Sequence, residues 1–125
     1  MVKFFSDEYF GQLQGMLVGD QKWIESTKGL KTTIAFNATD IGQFFVLSVD
    51  NGVSTVQKVA QGTPVEFAFE GPVESWGKVA RGEVDLQSAV LKGQLKFKGS
   101  ITKILMYRDR FIRVADLMKQ IQTES

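Results

Sequence analysis

The spacing of apolar residues changes twice along the chain, from helical near the N-terminus to alternating in the middle and back to helical in the last third. At the start, Phe10, Leu13 and Leu17 recur at intervals of three and four residues. This spacing places the three side chains on one face of a helix. It predicts a first helix over residues 6–18 that buries this stripe.

Capping residues predict where the first helices begin. Ser6 is suited to cap the first helix, and Asp20 to cap a second, shorter helix over residues 21–28. Gly11 and Gly15 lie one turn apart on the flank of the first stripe. Glycine weakens a helix interior by about 1 kcal/mol relative to alanine. These glycines either allow close approach by a strand or a ligand, or are simply tolerated in a weak helix.

The middle of the chain alternates between apolar and polar residues, which is typical of strands. Strands are predicted over residues 30–38, 43–50, 53–59 and 65–70. The second is apolar on both faces, so it should be covered on two sides or face a cavity. Asn51 and Gly52 predict a tight hairpin into the third, which is polar enough for a sheet edge. In the fourth, alternation places Val65, Phe67 and Phe69 inward.

Two short helices and a last strand are predicted between residues 71 and 98. Pro72 suits the first position of one helix, and Asp85 suits the start of the other. The strand that follows alternates Leu95 and Phe97 inward with polar residues outward.

The C-terminal segment, residues 100–122, has helical spacing but contains a conflict. In one straight helix, Arg108 would fall in the middle of the apolar stripe. One solution is a break near Tyr107, with Asp109 capping a second helix. The other is that Arg108 points into a ligand site and binds an anionic or carbonyl head group. We favour the break.

Composition removes most kinds of catalytic site. The 125 residues predict a single domain over residues 1–125. The chain has no His and no Cys, which excludes Ser-His-Asp and Cys-His nucleophilic sites, His or Cys zinc sites and disulfides. No phosphate-binding loop and no dinucleotide-binding glycine pattern is present. We therefore expect no enzyme activity, no metal and no cofactor. The ten Phe residues suit either a packed core or an apolar cavity.

Positive charge is concentrated in one segment. Residues 92–113 hold seven Lys or Arg residues and a single Asp, whereas the whole chain has a net charge of +1. Such a segment attracts anionic lipid surfaces, phosphates or nucleic acid, or it is simply a solvated face. No recognised nucleic-acid motif accompanies it, so we expect no nucleic-acid partner.

Residues 67–99 carry the pattern that is most informative about function. A strand ends at Gly71, a short helix carries Trp76, a second short helix ends at Gly93, and the element Gly93–Gly99 reads GQLKFKG. This order of elements resembles the sterol carrier protein type 2 family of lipid-binding domains. Over residues 6–60 the resemblance continues more weakly, as a helix followed by hairpin strands.

The resemblance implies an α+β fold in which helices cover a five-stranded, largely antiparallel sheet, with an apolar tunnel between the layers. It implies non-catalytic binding or transfer of a fatty acid, fatty acyl-CoA, phospholipid, isoprenoid or quinone, or sterol-like lipid. Expected partners are this hydrophobic ligand and, transiently, an anionic membrane surface or a lipid-metabolising enzyme. The alternative is an accessory or protein-interaction module with the same fold and a collapsed, Phe-filled cavity.

Carried over by position, the resemblance assigns residues to the site. The apolar cavity is expected to be lined by Phe45, Leu47, Trp76, Leu86, Val90, Leu91, Phe97, Ile101, Leu105, Phe111, Ala115 and Met118. Head-group binding or surface docking is expected from Arg108, Arg110 and Arg113.

The two ends of the sequence were read for targeting signals. The N-terminus has no apolar run of signal-peptide length, and the final residues are not a peroxisomal address. We expect a cytoplasmic protein that looks more like a stand-alone prokaryotic member than the peroxisomal eukaryotic ones.

Overall fold

The computed structural model describes residues 1–124 and contains six helices and five strands within them. The helices are α1 (Asp7–Gly19), α2 (Gln21–Ser26), α3 (Val73–Ala80), α4 (Leu86–Leu91), α5 (Ile101–Met106) and α6 (Arg108–Lys119). The strands are β1 (Lys31–Ala38), β2 (Gln43–Asp50), β3 (Val53–Lys58), β4 (Phe67–Gly71) and β5 (Lys96–Lys98).

The sheet has the order β3-β2-β1-β4-β5. Pairing is antiparallel except between β1 and β4, which run parallel. The predicted α+β class and the five-stranded, largely antiparallel sheet covered by helices are confirmed. The predicted edge position of β3 is also confirmed. On β3, the Val56 amide donates a hydrogen bond to the Gln14 side chain of α1 at 2.6 Å.

Local signals in the sequence place the predicted turns and caps. The Ser6 hydroxyl accepts a hydrogen bond from the Tyr9 amide at 3.2 Å, and the Asp20 carboxylate accepts one from the Trp23 amide at 3.0 Å. Asn51 and Gly52 have φ angles of 49° and 84°, as a type I′ hairpin turn requires. Pro72 precedes α3 as its cap instead of occupying the first helical position.

The two glycines of α1 do not mediate close packing. Neither Gly11 nor Gly15 has a heavy atom within 4 Å of the position that a Cβ would occupy. Both are exposed, because the face of α1 that packs on the core is the opposite one, which carries Phe10, Leu13 and Leu17. The interpretation that they allow close approach is wrong, and they are tolerated at a solvent-facing surface.

Aromatic side chains fill the layer between the sheet and the helices. The ring of Phe10 stacks on that of Phe45, with centroids 4.1 Å apart. Trp76 is fully buried, and its indole N–H donates to the Asn37 carbonyl at 2.9 Å. The indole of Trp23 donates to the Ser54 hydroxyl at 2.7 Å. This part of the protein is therefore a packed core.

The other face of the sheet carries a second, much smaller apolar cluster. Ala35, Val46 and Ala68 are buried there, and Val59 and Val65 pack against them from the chain between β3 and β4. The prediction that Val65 points inward with Phe67 and Phe69 is wrong. The reason is that β4 begins only at Phe67, so the alternation does not extend back to Val65.

The C-terminal segment is broken as predicted. Tyr107 separates α5 from α6. Beyond the break, Phe111, Val114, Ala115 and Met118 are all buried. The prediction that Asp109 caps the second helix is wrong. It lies inside the first turn of α6, where its charge still favours the positive end of the helix.

Candidate functional site

A cavity of about 240 Å³ lies among α4, α5, α6 and strand β4. Its apolar walls are Phe69, Leu86, Ile104, Leu105, Phe111, Ile112 and Ala115. Its polar lining residues are Asp85, Gln87, Arg108, Asp116 and Lys119. The arrangement is an apolar pocket with charged groups of both signs at its border. Mostly apolar walls with a few polar groups are typical of sites that bind small molecules.

Two features of the sequence create this space. The break at Tyr107 separates α5 from α6, and residues on both sides of it, Leu105 and Phe111, line the cavity. Ala115 contributes a small side chain at a position where α6 is buried. A larger residue there would occupy part of the cavity.

The start of α4 supplies the acidic side of the cavity. The Asp85 carboxylate accepts a hydrogen bond from the Ser88 amide at 2.7 Å and so caps the helix. This backbone hydrogen bond is the main reason that the pKa of Asp85 lies below its usual value, and the charges of Arg108 and Lys119 add to the effect. Asp85 is therefore ionised at neutral pH.

The cationic side is formed by α6. Lys119 pairs with Asp116, with 3.4 Å between Nζ and Oδ1. Arg108 takes part in none of the ion pairs formed within residues 1–124. An arginine offers several N–H donors in a planar group that matches a carboxylate or a phosphate. Arg108 is thus the lining residue best able to receive an anionic head group.

The structure brings together some of the residues predicted for the site. Leu86, Leu105, Phe111 and Ala115 line the cavity, as does Arg108 from the predicted head-group set. These five come from three different helices.

Other predicted wall residues belong to the core. Phe45, Leu47, Trp76 and Met118 are at most 2% exposed and pack in the main apolar cluster. Phe97 packs against Phe69, with ring centroids 5.2 Å apart. None of them lines the cavity, because the aromatic rings between α1 and the sheet fill the space in which the tunnel was expected.

Three predicted wall residues lie toward the surface. Leu91 is 80% exposed and Ile101 is 67% exposed, while Val90 is partly buried against the core. Leu91 is the last residue of α4, and Ile101 is the first of α5. Neither reaches into the cavity in this conformation.

Two of the predicted docking residues are already engaged within the fold. Arg113 donates to both carboxylate oxygens of Asp20, at 2.8 and 2.5 Å. Arg110 donates to the Ser26 carbonyl at 2.9 Å and stacks over the Tyr107 ring. Their roles here are to fasten α6 to α2, which corrects the expectation that they face a membrane or a head group.

Residues of the cavity that the sequence did not indicate are Phe69, Asp85, Gln87, Ile104, Ile112, Asp116 and Lys119. The sequence pattern places Phe69 in a strand core and Asp85 at a helix cap, and each also borders the cavity. One signal was available for α6. Arg108, Ile112 and Ala115, followed by Lys119, recur at helical spacing and mark one face.

Within residues 1–124, none of the helices combines the length and the hydropathy needed to cross a bilayer. The same part of the chain holds no cluster of three or more acidic, His or Cys side chains suited to a metal ion.

Sequence comparison gives one family. The family model of the SCP-2 sterol transfer family matches residues 14–111, which include the whole sheet and much of the cavity. No curated protein matches the chain significantly.

Solved structures give the same fold. A crystal structure of sterol carrier protein 2 has a TM-score of 0.83 at 16% identity, covering 96% of this chain and 100% of the other. A solution structure of a conserved hypothetical protein from Thermus thermophilus has a TM-score of 0.81 at 16% identity, covering 99% and 93%. The sterol carrier protein-2 of Aedes aegypti, solved with the C16 fatty acid palmitate, has a TM-score of 0.59 at 14% identity, covering 88% and 96%. At identities this low, the likeness to these structures shows the fold alone.

Proposed function

The chain belongs to the SCP-2 sterol transfer family, and we propose that it binds one hydrophobic ligand in the cavity among α4, α5 and α6 and carries it without chemical change. The observation that carries the proposal is the combination, at one cavity, of apolar walls with a cation that forms no ion pair within residues 1–124. Phe69, Phe111 and Ala115 offer contacts to an apolar chain, and Arg108 offers a partner for its head.

The head-group side favours an amphiphile with an anionic or strongly polar end. Arg108 and Lys119 supply positive charge, and Asp85 and Asp116 limit its net value. Fatty acids, fatty acyl-CoA and phospholipids have such heads, and quinones and sterols have weaker polar ones. The palmitate held by the Aedes aegypti protein supports the first of these classes.

Cavity size sets a condition on the ligand. Sites for small molecules usually measure about 300–1,000 Å³, and this cavity measures about 240 Å³. A long acyl chain therefore requires the cavity to widen. α5 is the element able to move, because none of its six residues is buried. We infer that long ligands enter with displacement of α5.

The packed aromatic core favours a second candidate function. Rings such as Phe10 and Phe45 stack closely where the tunnel was expected. A protein with so filled an interior suits an accessory or protein-interaction module that uses the same fold. In that case the small cavity would take up no lipid.

The two candidates are separated by the lipid content of the purified protein. We would extract freshly purified protein with organic solvent and identify the extract by mass spectrometry, beside an unrelated protein of similar size. We expect a homogeneous, stoichiometric lipid that is recovered unchanged after incubation with the protein. An empty extract, repeated after incubation with mixed lipids, would favour the interaction module.

The remaining expectations stay predictions. These are a single domain over residues 1–125, a cytoplasmic location, and transient contact with an anionic membrane or a lipid-metabolising enzyme. Since Arg110 and Arg113 are engaged with Ser26 and Asp20, such contact needs another surface.

A further inference from the structure

Among the helices of residues 1–124, α5 differs in burying no residue. Three of its four apolar residues point outward: Ile101 is 67% exposed, Leu105 is 61% exposed and Met106 is 66% exposed. The fourth, Ile104, is partly buried against the core. A globular protein normally places such side chains inside, and a contiguous exposed group marks an interaction site.

The exposed residues of α5 adjoin the cavity. Leu105 lines it, and Ile101 lies one helical turn earlier on the same face. Ile112 of α6 also lines the cavity and is 43% exposed. On α4, Leu91 is 80% exposed and lies one turn beyond Gln87, another lining residue. We call Leu91, Ile101, Leu105, Met106 and Ile112 the α5 patch.

The charge around the α5 patch is positive. Residues 92–108 contain five Lys or Arg residues and no acid. Two of these cations are neutralised within the fold, since Lys98 pairs with Glu70 and Lys103 pairs with Glu66. Lys92, Lys96 and Arg108 take part in none of the ion pairs within residues 1–124. They remain available for an anionic partner.

Exposed apolar residues elsewhere lack the excess of positive charge. Ile41 lines a second cavity with Lys3 and Lys58, but the acids Asp7, Glu8 and Glu124 line it too, and Lys58 pairs with Asp7. Val18, Ile41 and Val53 lie on α1, on the turn between β1 and β2, and on β3. The outward side of α1 begins with Asp7 and Glu8 and carries no Lys or Arg. At α5, by contrast, exposed apolar residues at a cavity lie beside cations that form no ion pair within residues 1–124.

We propose that the α5 patch is the surface that contacts a lipid bilayer containing anionic lipid. Ile101, Leu105 and Met106 enter the boundary between head groups and acyl chains, while Lys92, Lys96 and Arg108 face the anionic head groups. Short amphipathic elements bind membranes through this pairing of apolar insertion and basic charge. The inference rests on the proposed function, because a ligand leaving the cavity beside the α5 patch passes into the bilayer without crossing water.

The test compares two matched double variants. Ile101→Gln/Met106→Gln removes apolar area from the patch without touching a residue that lines the cavity, and glutamine is a good helix former. Val18→Gln/Val53→Gln removes similar exposed apolar area elsewhere. Partition is measured by co-flotation with vesicles of phosphatidylcholine, with and without phosphatidylglycerol.

We expect the wild type and the Val18/Val53 variant to float equally, more on anionic vesicles and less as salt rises. We expect the Ile101/Met106 variant to partition at least about tenfold more weakly, since two large apolar side chains no longer leave water. Equal flotation of all three proteins would overturn the proposal. So would concentration-dependent self-association in sedimentation that the Ile101/Met106 variant abolishes, because the patch would then join two copies of the chain.

A second measurement separates this inference from the proposed function. Uptake of a fluorescent fatty acid from water, without vesicles, reports on the cavity alone. Normal uptake by the Ile101/Met106 variant with weak flotation supports both proposals. If flotation of the wild type depends on the α5 patch but the protein takes up no fatty acid, the membrane surface is supported and the carrier function is contradicted.

Discussion

Replacing Phe45 by Ala distinguishes a core residue from a cavity wall. The family resemblance assigned Phe45 to the cavity wall, whereas in the structure its side chain is 2% exposed and lies in the packed core. Its ring stacks on Phe10 at 4.1 Å and meets Phe5 edge-on at 6.0 Å. We therefore expect Phe45→Ala to lower stability and to leave ligand affinity unchanged.

The expected loss is large for a domain of this size. Truncating a buried Phe to Ala costs about 3–5 kcal/mol through lost burial and the remaining void. Total stabilities are about 5–15 kcal/mol, so the variant should still fold at low temperature. With a denaturant slope of about 2 kcal/mol per M, a loss of about 4 kcal/mol lowers the midpoint of urea unfolding by about 2 M. Circular dichroism follows the unfolding, and Phe45→Leu should show a smaller loss in the same direction.

Ala115→Leu is the matched perturbation of the cavity. Ala115 lines the cavity of about 240 Å³, so added methyl groups enter empty space instead of displacing packed neighbours. The usual cost of overpacking, about 1–3 kcal/mol, should therefore be largely absent. Affinity for a fluorescent fatty acid should fall at least about tenfold, because the side chain takes space that the ligand needs.

The two variants together can refute the assignment of the site. Affinity is measured in buffer at a temperature where both proteins are fully folded. If Phe45→Ala weakened fatty-acid binding while Ala115→Leu left it unchanged, the ligand would lie between α1 and the sheet. The cavity among α4, α5 and α6 would then not be the binding site.

Two further predictions concern charged residues. Hydrogen bonding by Arg113 holds the pKa of Asp20 below its usual value, so the pair stabilises the fold above about pH 3.9, and this contribution is lost as pH falls through the lowered pKa. Asp20→Asn, which keeps the helix cap, should lower the melting temperature at neutral pH but not in strong acid; an equal deficit at every pH would contradict the ion-pair account. Arg108→Gln should weaken binding of a fatty acid about fivefold and leave a fatty alcohol of equal length unaffected, as measured by fluorescence titration. Equal losses for both ligands would mean that Arg108 does not read the head-group charge.

The parts of the fold that the sequence predicted depend on neighbours close in the chain. Ser6 and Asp20 each cap a helix by bonding an amide three residues away. Asn51 and Gly52 make the hairpin because they tolerate positive φ angles. These interactions are decided within a few residues, so residue type and order are enough to predict them.

The division between core and cavity depends on contacts between distant residues. Phe45 is core because Phe10 of α1 lies on it. Arg113 is engaged within the fold because the carboxylate of Asp20, 93 residues earlier, accepts hydrogen bonds from its Nε and Nη2. Apolar periodicity identifies which residues turn inward but not whether they meet another side chain or a void. For this reason only some of the predicted wall residues line the cavity.

Arg108 shows how two interpretations that exclude each other along the sequence can coexist in three dimensions. From the sequence, a helix break and a ligand-facing arginine were alternatives, because either one would explain an arginine in the apolar stripe of residues 100–122. With the break at Tyr107, Arg108 becomes the first residue of α6 and borders the cavity together with Leu105 and Ile112. Arg108 keeps its place on the helix face that it shares with Ile112 and Ala115, and that face borders the cavity. The polar residue in the apolar pattern thus marks the place where the fold opens.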